Sequence, residues 1–149
     1  MKIRNATVND LAAMLVLGRR MHAESPRFNL LQYDEGKVSL LLHTAMDSNA
    51  YFLMVAEHTD GQVIGGLIAY IAPMWFSTDE VASELALFID QDRRGGWAAI
   101  RLLREFITWA AGMGAKQTVA GISTGVDIDT TAQLYRAAGF KQVGHLFEV

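Results

Sequence analysis

The sequence predicts a single α/β domain built on a mixed sheet, and three observations carry the prediction. Its 149 residues contain no linker-like stretch and match the ~100–200 residues of one domain. A composition of 51% hydrophobic and 19% charged residues with only two prolines supports a sizeable core and lacks the polar signature of disorder. Early apolar segments are separated by a tight turn, as in an antiparallel hairpin, whereas later ones alternate strand, helix, strand, helix, strand.

Composition also narrows function. A formal charge of −3 gives no electrostatic reason to expect DNA or RNA as a partner, since such binding rests on Lys and Arg neutralising phosphates. The absence of cysteine removes disulfides, thiolate nucleophiles and Cys-type zinc sites together and fits a reducing compartment. The N-terminus Met1-Lys2-Ile3-Arg4-Asn5 lacks a signal-type apolar block, and no apolar run approaches the ~20 residues of a membrane span. The expectation is a cytoplasmic protein without a membrane partner.

Lys2 to Asn5 reads as a short strand. Asn9-Asp10 offers N-cap chemistry before Leu11, Met14, Leu15 and Gly18, which share one helical face, so a first helix runs to about Ala23. Ser25-Pro26 stops it. A second helix spans about Asp34 to Met46, with Val38, Leu41, Leu42 and Ala45 on its buried side. Tyr51–Glu57 and Gln62–Ala72 form a hairpin around His58-Thr59-Asp60-Gly61. Pro73 ends the second strand, and Met74-Trp75-Phe76 occupies the following loop. Ser83 to Asp90 is a strongly apolar strand. A long helix follows, burying Ala99, Leu102, Leu103, Phe106, Ala110 and Met113 and exposing Arg101, Arg104, Glu105 and Thr108, until Gly112 or Gly114 ends it. Gln117–Ile122 reads as a strand, Thr130–Ala138 as a short helix closed by Gly139, and Phe140–Glu148 as a final strand.

The informative junction is the one between the apolar strand and the long helix. It carries Arg93-Arg94-Gly95-Gly96 before Trp97-Ala98-Ala99. A strand ending in this way gathers unpaired N–H groups at the positive end of a helix, where a pyrophosphate can sit. A plain flexible connection is the alternative reading of Gly95-Gly96. Neither a Walker-type Gly-Lys-Ser/Thr nor a G-x-G-x-x-G fingerprint is present, which disfavours ordinary NTP and dinucleotide sites.

Leu87-Phe88-Ile89-Asp90-Gln91-Asp92-Arg93-Arg94-Gly95 resembles the strand-to-helix segment of the GNAT superfamily of N-acetyltransferases, which has the form L-x-V-x-P-x-x-R-G. Leu134-Tyr135 with Ala138-Gly139-Phe140 is similar to that family's L-Y-x-x-x-G-F segment, and Ile3-Arg4 with Asp10-Leu11 to its opening. The resemblance implies one GNAT-like domain, with a mixed, mostly antiparallel central sheet and helices on both faces. It also implies acetyl-CoA as co-substrate, no metal, and direct attack by an amine without a covalent acyl-enzyme. Leu87, Phe88, Ile89, Arg94, Gly95, Gly96, Trp97, Ala98 and Ala99 would then hold the cofactor. Trp97 stands where the family usually has glycine, and Ile128 where it often has Asn. A shift of one residue makes Arg93, Gly96 and Ala98 the matching triplet and leaves the phosphates on the same loop.

Attack requires a neutral amine, so a base must take a proton. Glu84 is the first candidate because apolar strand neighbours would raise its pKa; a solvent-facing carboxylate is the alternative. Backbone N–H groups around Phe88 are candidates for the oxyanion. Tyr135 matches the family's general acid for the departing thiolate, with a buried packing tyrosine as the alternative. His22, Glu24, Arg27, Phe28 and Trp75 are candidate acceptor-site residues, with His22 and Glu24 also rival bases. Met74, Trp75 and Phe76 fit a homodimer interface equally well. The acceptor is a small-molecule amine or a protein amine. A silent binder of CoA esters is the competing function.

Overall fold

The fold is built outward from the hairpin around Gly61. In the computed structural model, which describes residues 1–149, β2 (Tyr51–Glu57) and β3 (Val63–Pro73) pair antiparallel, Tyr51 opposite Tyr70. β1 (Lys2–Asn5) adds antiparallel to β2, and β4 (Glu80–Ile89) antiparallel to β3. β5 (Gln117–Val119) lies parallel to β4, giving the order β1-β2-β3-β4-β5. A parallel neighbour cannot be reached by a tight turn, and α3 (Ala98–Gly112) supplies the crossover.

Helices cover both faces of the sheet. α3 lays Leu102, Leu103, Phe106 and Ala110 against Phe52, Leu67 and Ile71, with α4 (Ile128–Ala138) contributing Tyr135 and Ala138 to the same cluster. Phe106 is fully buried, its ring 5.7 Å from Phe52 and 6.2 Å from Trp109. On the other face, Met14 of α1 (Leu11–Glu24) and Leu42 and Ala45 of α2 (Glu35–Asp47) pack on Val55 and Ile68. Asp34 caps α2 by accepting the Lys37 N–H at 2.9 Å. No helix is long and apolar enough to cross a membrane.

Several boundaries differ from those the sequence predicts. β4 starts at Glu80 rather than Ser83 because Pro73 to Ala69 of β3 give it a partner over that length. α4 starts at Ile128 rather than Thr130. Met113 lies beyond the end of α3 and is exposed rather than in the core. β5 stops at Val119, not Ile122, because the groups beyond it bond to side chains instead of β4: the carbonyls of Gly121, Ser123 and Thr124 accept from Tyr135, Arg27 and Ser25. Phe140–Glu148 is not a strand. Apolar residues alone do not make one; the segment has no ladder partner, since β4 is the only neighbour of the short edge strand β5.

One buried carboxylate ties the chain's start to the sheet. Asp10 accepts from Arg4 Nη1 at 2.7 Å, Arg4 Nη2 at 2.8 Å and the Thr7 N–H at 2.8 Å, while Arg4 Nε donates to Glu57 at 2.6 Å. The Arg4 guanidinium, then the Thr7 donors, hold the Asp10 carboxyl down at about 2. The resulting stability is present above the ordinary carboxylate range and is lost as pH falls through about 2. Asp10→Asn should therefore cost up to about 2 kcal/mol at pH 7, and the difference from wild type should shrink towards pH 2.5 in urea melts. An equal difference at both pH values would remove Asp10 from this role.

Candidate active site

The site opens where β4 and β5 separate. Their pairing ends at Ser83 opposite Val119, so beyond that point the β5-facing backbone of β4 has no ladder partner. A bulge adds to the divergence: Ala69 faces Glu84 and Ile68 faces Ala86, leaving Leu85 as the extra residue. The bulge also resets which side chains face α3 and α4. Ala82 before it, and Leu87 and Ile89 after it, belong to that face, whereas Ala86 packs on the α1–α2 side. Between the diverging strands lies a cleft of about 510 Å³, lined by β4 from Glu84 to Ile89, the Arg93–Gly96 loop, Gly121 to Thr124 and the inner side of α4.

Glu84 and Tyr135 meet inside it. The Tyr135 hydroxyl donates to Glu84 Oε2 at 2.8 Å and lies 3.1 Å from the Gly121 carbonyl, and the Gly121 N–H donates to the same Glu84 oxygen at 3.1 Å. The carboxylate thus spans the gap that the ladder leaves. Burial raises the Glu84 pKa, against the opposing pull of the Tyr135 hydroxyl and the Gly121 and Leu87 N–H groups. Burial, then the Glu84 charge, pushes the Tyr135 phenol well above its ordinary value, so it is held protonated. Tyr135 is positioned by the end of α4, where Gly139 at φ 117° lets the Phe140 N–H return to the Tyr135 carbonyl at 3.0 Å. The Phe140 ring then packs edge-on to Tyr135 at 5.7 Å.

The open side of β4 supplies peptide donors. Asp90 donates its N–H to the Ile64 carbonyl at 2.8 Å. By ladder alternation Gly66 and Phe88 are the next hydrogen-bonded pair, so Phe88 turns its N–H to β3. Leu87 and Ile89 point theirs into the cleft. Consistent with this, the Ile89 carbonyl accepts from Arg94 Nε at 3.0 Å and the Leu87 N–H reaches Glu84.

At the other end of the cleft, the loop after β4 becomes α3. Gly95 has φ 88°, a left-handed value that a side chain would strain, whereas Gly96 has ordinary φ and open space around a built Cβ. No backbone acceptor takes the N–H groups of Gly95 to Ile100, as the first turn of a helix requires. Gly96, Ala98 and Ala99 line the cleft. Trp97 is the N-cap residue and, at 69% exposure, turns its indole to solvent outside the cleft lining.

The acceptor-site candidates divide. Glu24 and Phe28 line the cleft, but the Glu24 carboxylate is paired with Arg94. His22 lines a second cavity of about 260 Å³ with Tyr33 and Lys37, its Nε2 2.6 Å from the Leu31 carbonyl. Arg27 is engaged with Glu148 and the Ser123 carbonyl and lines neither cavity. Trp75, 92% exposed at the β3–β4 hairpin tip, also lies outside both. Gly121 and Ser25 escape sequence reasoning: Gly121 sits in an unremarkable stretch, and Ser25 reads as a helix stop, although it is fully buried with its Oγ on the Thr124 carbonyl.

Comparison with known proteins agrees with this architecture. The Acetyltransferase (GNAT) family model matches residues 18–140, and the chain belongs to that family. A putative acetyltransferase from Agrobacterium tumefaciens superposes with TM-score 0.78 at 17% identity, covering 100% of this chain and 99% of that one. An aminoglycoside antibiotic 6'-N-acetyltransferase from Acinetobacter haemolyticus gives TM-score 0.76 at 18% identity, with 100% and 97% covered. AAC(6')-Iy, in complex with the bisubstrate analog CoA-S-monomethyl-acetylneamine, gives 0.75 at 16%, with 99% and 95% covered. At these identities the likeness is one of fold. No curated protein matches the sequence.

The hydrogen bond between Tyr135 and Glu84 has a direct test. Because the hydroxyl stabilises the ionised carboxylate, Tyr135→Phe should move the Glu84 titration midpoint further upward, read by carbon NMR of labelled glutamate carboxyls. An unmoved midpoint would show that the hydroxyl does not donate to it.

Proposed function

We propose that this chain transfers the acetyl group of acetyl-CoA to an amine by direct attack within a ternary complex. The observation that carries the reading is that one cleft joins an anion-binding loop at one end to a hydrogen-bonded carboxylate and phenol at the other. The loop suits a diphosphate: the Arg94 guanidinium, free N–H groups from Gly95 onward, and space at Gly96 that any Cβ would occupy. The CoA moiety bound by a structural neighbour supports the same cofactor. Leu87, Phe88, Ile89, Ala98 and Ala99 form the wall along which it would lie.

The pair at the far end closes a proton cycle. The acceptor nitrogen attacks the thioester carbon and its proton passes to Glu84, whose raised pKa brings it nearer to that of an effective base at neutral pH. Of the inward-facing N–H groups, that of Ile89 supplies a donor for the oxyanion, the Leu87 N–H being engaged by Glu84. As the carbon–sulfur bond breaks, the thiolate takes the Tyr135 proton, and Glu84 returns its proton to the phenolate across the 2.8 Å hydrogen bond. The net transfer is one proton from nitrogen to sulfur. The aminoglycoside acetyltransferase among the neighbours favours a small-molecule amine as acceptor. A panel of polyamines, amino acids, aminoglycosides and peptide amines, assayed for release of free CoA, tests the reading. Tight acetyl-CoA binding without CoA release from any of them would make the protein a silent acyl-CoA binder.

Two sets of variants separate the ends of the cleft. Gly96→Val should weaken acetyl-CoA binding at least tenfold, about 1.4 kcal/mol, with an unchanged melting temperature; wild-type affinity in calorimetry would misplace the phosphate site. Tyr135→Phe should lower kcat by roughly 10²-fold with little change in acetyl-CoA affinity. Glu84→Gln should abolish or shift the acidic limb of the pH–rate profile, a limb lying above the ordinary carboxylate range. Unchanged kinetics in either variant would reduce that residue to packing.

A further inference from the structure

Arg94, the charged group of the anion loop, is already occupied. Its Nη2 donates to Glu24 Oε2 at 2.6 Å and its Nη1 to Glu24 Oε1, the forked geometry with which a guanidinium holds a carboxylate or a phosphate alike. The guanidinium is itself fixed, with Nε on the Ile89 carbonyl at 3.0 Å and its plane over the Phe88 ring, 5.5 Å from the centroid. A second anion must therefore come to Arg94 and compete for its fork where it stands. The nearby Asp90 is held by Arg20 at 2.7 Å, which leaves Glu24 as the carboxylate in exchange.

Glu24 comes from the opposite wall of the cleft. It is the last residue of α1 and opens a strap, residues 24–28, fastened to the segment that follows β5: the buried Ser25 Oγ donates to the Thr124 carbonyl, Arg27 donates to the Ser123 carbonyl, and the Phe28 N–H donates to Ser25 Oγ at 3.0 Å. With the backbone so tied, the side chain is the mobile part. Met21, one turn earlier on the same helix, and Phe28 line both the cleft and the second cavity. A Glu24 carboxylate leaving Arg94 thus stands at the partition between the two.

We propose that Glu24 is an anion placeholder at Arg94, displaced by the diphosphate of CoA, so that cofactor binding is the event that frees an acidic group at the partition with the second cavity. This rests on the acyl-CoA reading above. While the exchange is incomplete, Glu24 lowers the apparent affinity for the cofactor. Once it is complete, the carboxylate has lost its guanidinium partner and is open to a cation.

The probe is CoA itself. Calorimetric titration should show E24Q, which keeps the shape but not the charge, binding CoA at least fivefold more tightly than wild type, with both proteins melting alike. In wild-type protein with labelled glutamate carboxyls, the Glu24 midpoint, held low by Arg94 in the free state, should rise towards the ordinary value when CoA saturates the site. CoA affinity in E24Q equal to or below wild type, or a Glu24 midpoint that stays low in the complex, would overturn the placeholder role and leave the acyl-CoA reading intact. Wild-type protein that binds no CoA would overturn both.

Discussion

The parting of β4 from β5 after Ser83 is the constraint on which the rest of the site depends. A sheet that stops pairing in its interior leaves backbone donors and acceptors that must find other partners. Here they find side chains: Glu84 takes the Gly121 N–H, Tyr135 the Gly121 carbonyl, and Arg27 and Ser25 the carbonyls of Ser123 and Thr124. Each replacement holds the gap open while satisfying its edges. The cleft is thus a fixed feature of the fold, and the Leu85 bulge makes it chemically useful by turning Glu84 and Leu87 to the same face.

Glu84 and Tyr135 are costly to bury singly and tolerable as a pair. An isolated carboxylate in this position would face desolvation alone, and an isolated phenol would lack a partner. Joined at 2.8 Å, each satisfies the other, yet the pair is still frustrated: the pKa of both members is raised. The raised pKa brings the carboxylate closer to one that can accept a proton, while it holds the phenol in its protonated form. The Arg94–Glu24 fork at the other end follows the same logic with opposite charges, a satisfied pair that a better anion can divide.

Stability and site chemistry meet at Tyr135, which packs in the core on the α3 side and bonds Glu84 in the cleft, but they separate towards the loop before α3. The Phe52–Phe106–Trp109 cluster and the Arg4–Asp10–Glu57 network secure α3 and β1 to the sheet. The Arg94–Glu24 contact at the loop end of the cleft, by contrast, joins elements distant in sequence through side chains that are not part of the core. This separation allows residues such as Gly96 and Glu24 to be changed without touching the core.

Periodicity and punctuation in the sequence were enough to determine most elements, because hairpin turns, helix stops and amphipathic faces are local. The Leu87–Gly95 and Leu134–Phe140 segments likewise marked the strand-to-helix loop and Tyr135 through their resemblance to a family pattern, and each carries a left-handed glycine, at positions 95 and 139. What the sequence misjudged was pairing. Gln117–Ile122 and Phe140–Glu148 carry enough apolar residues to read as strands, but a strand exists only where a neighbour accepts its ladder, and the tertiary structure withholds that neighbour. Glu84 could be named from its apolar surroundings, whereas its bond to Tyr135, 51 residues away, came only with the fold, and which of the N–H groups around Phe88 face inward, those of Leu87 and Ile89, followed from a bulge that leaves no mark in composition. Glu24 and Arg94 lie 70 residues apart and carry ordinary surface charges in the sequence; only the fold, by bringing the end of α1 over the loop before α3, decided that they meet.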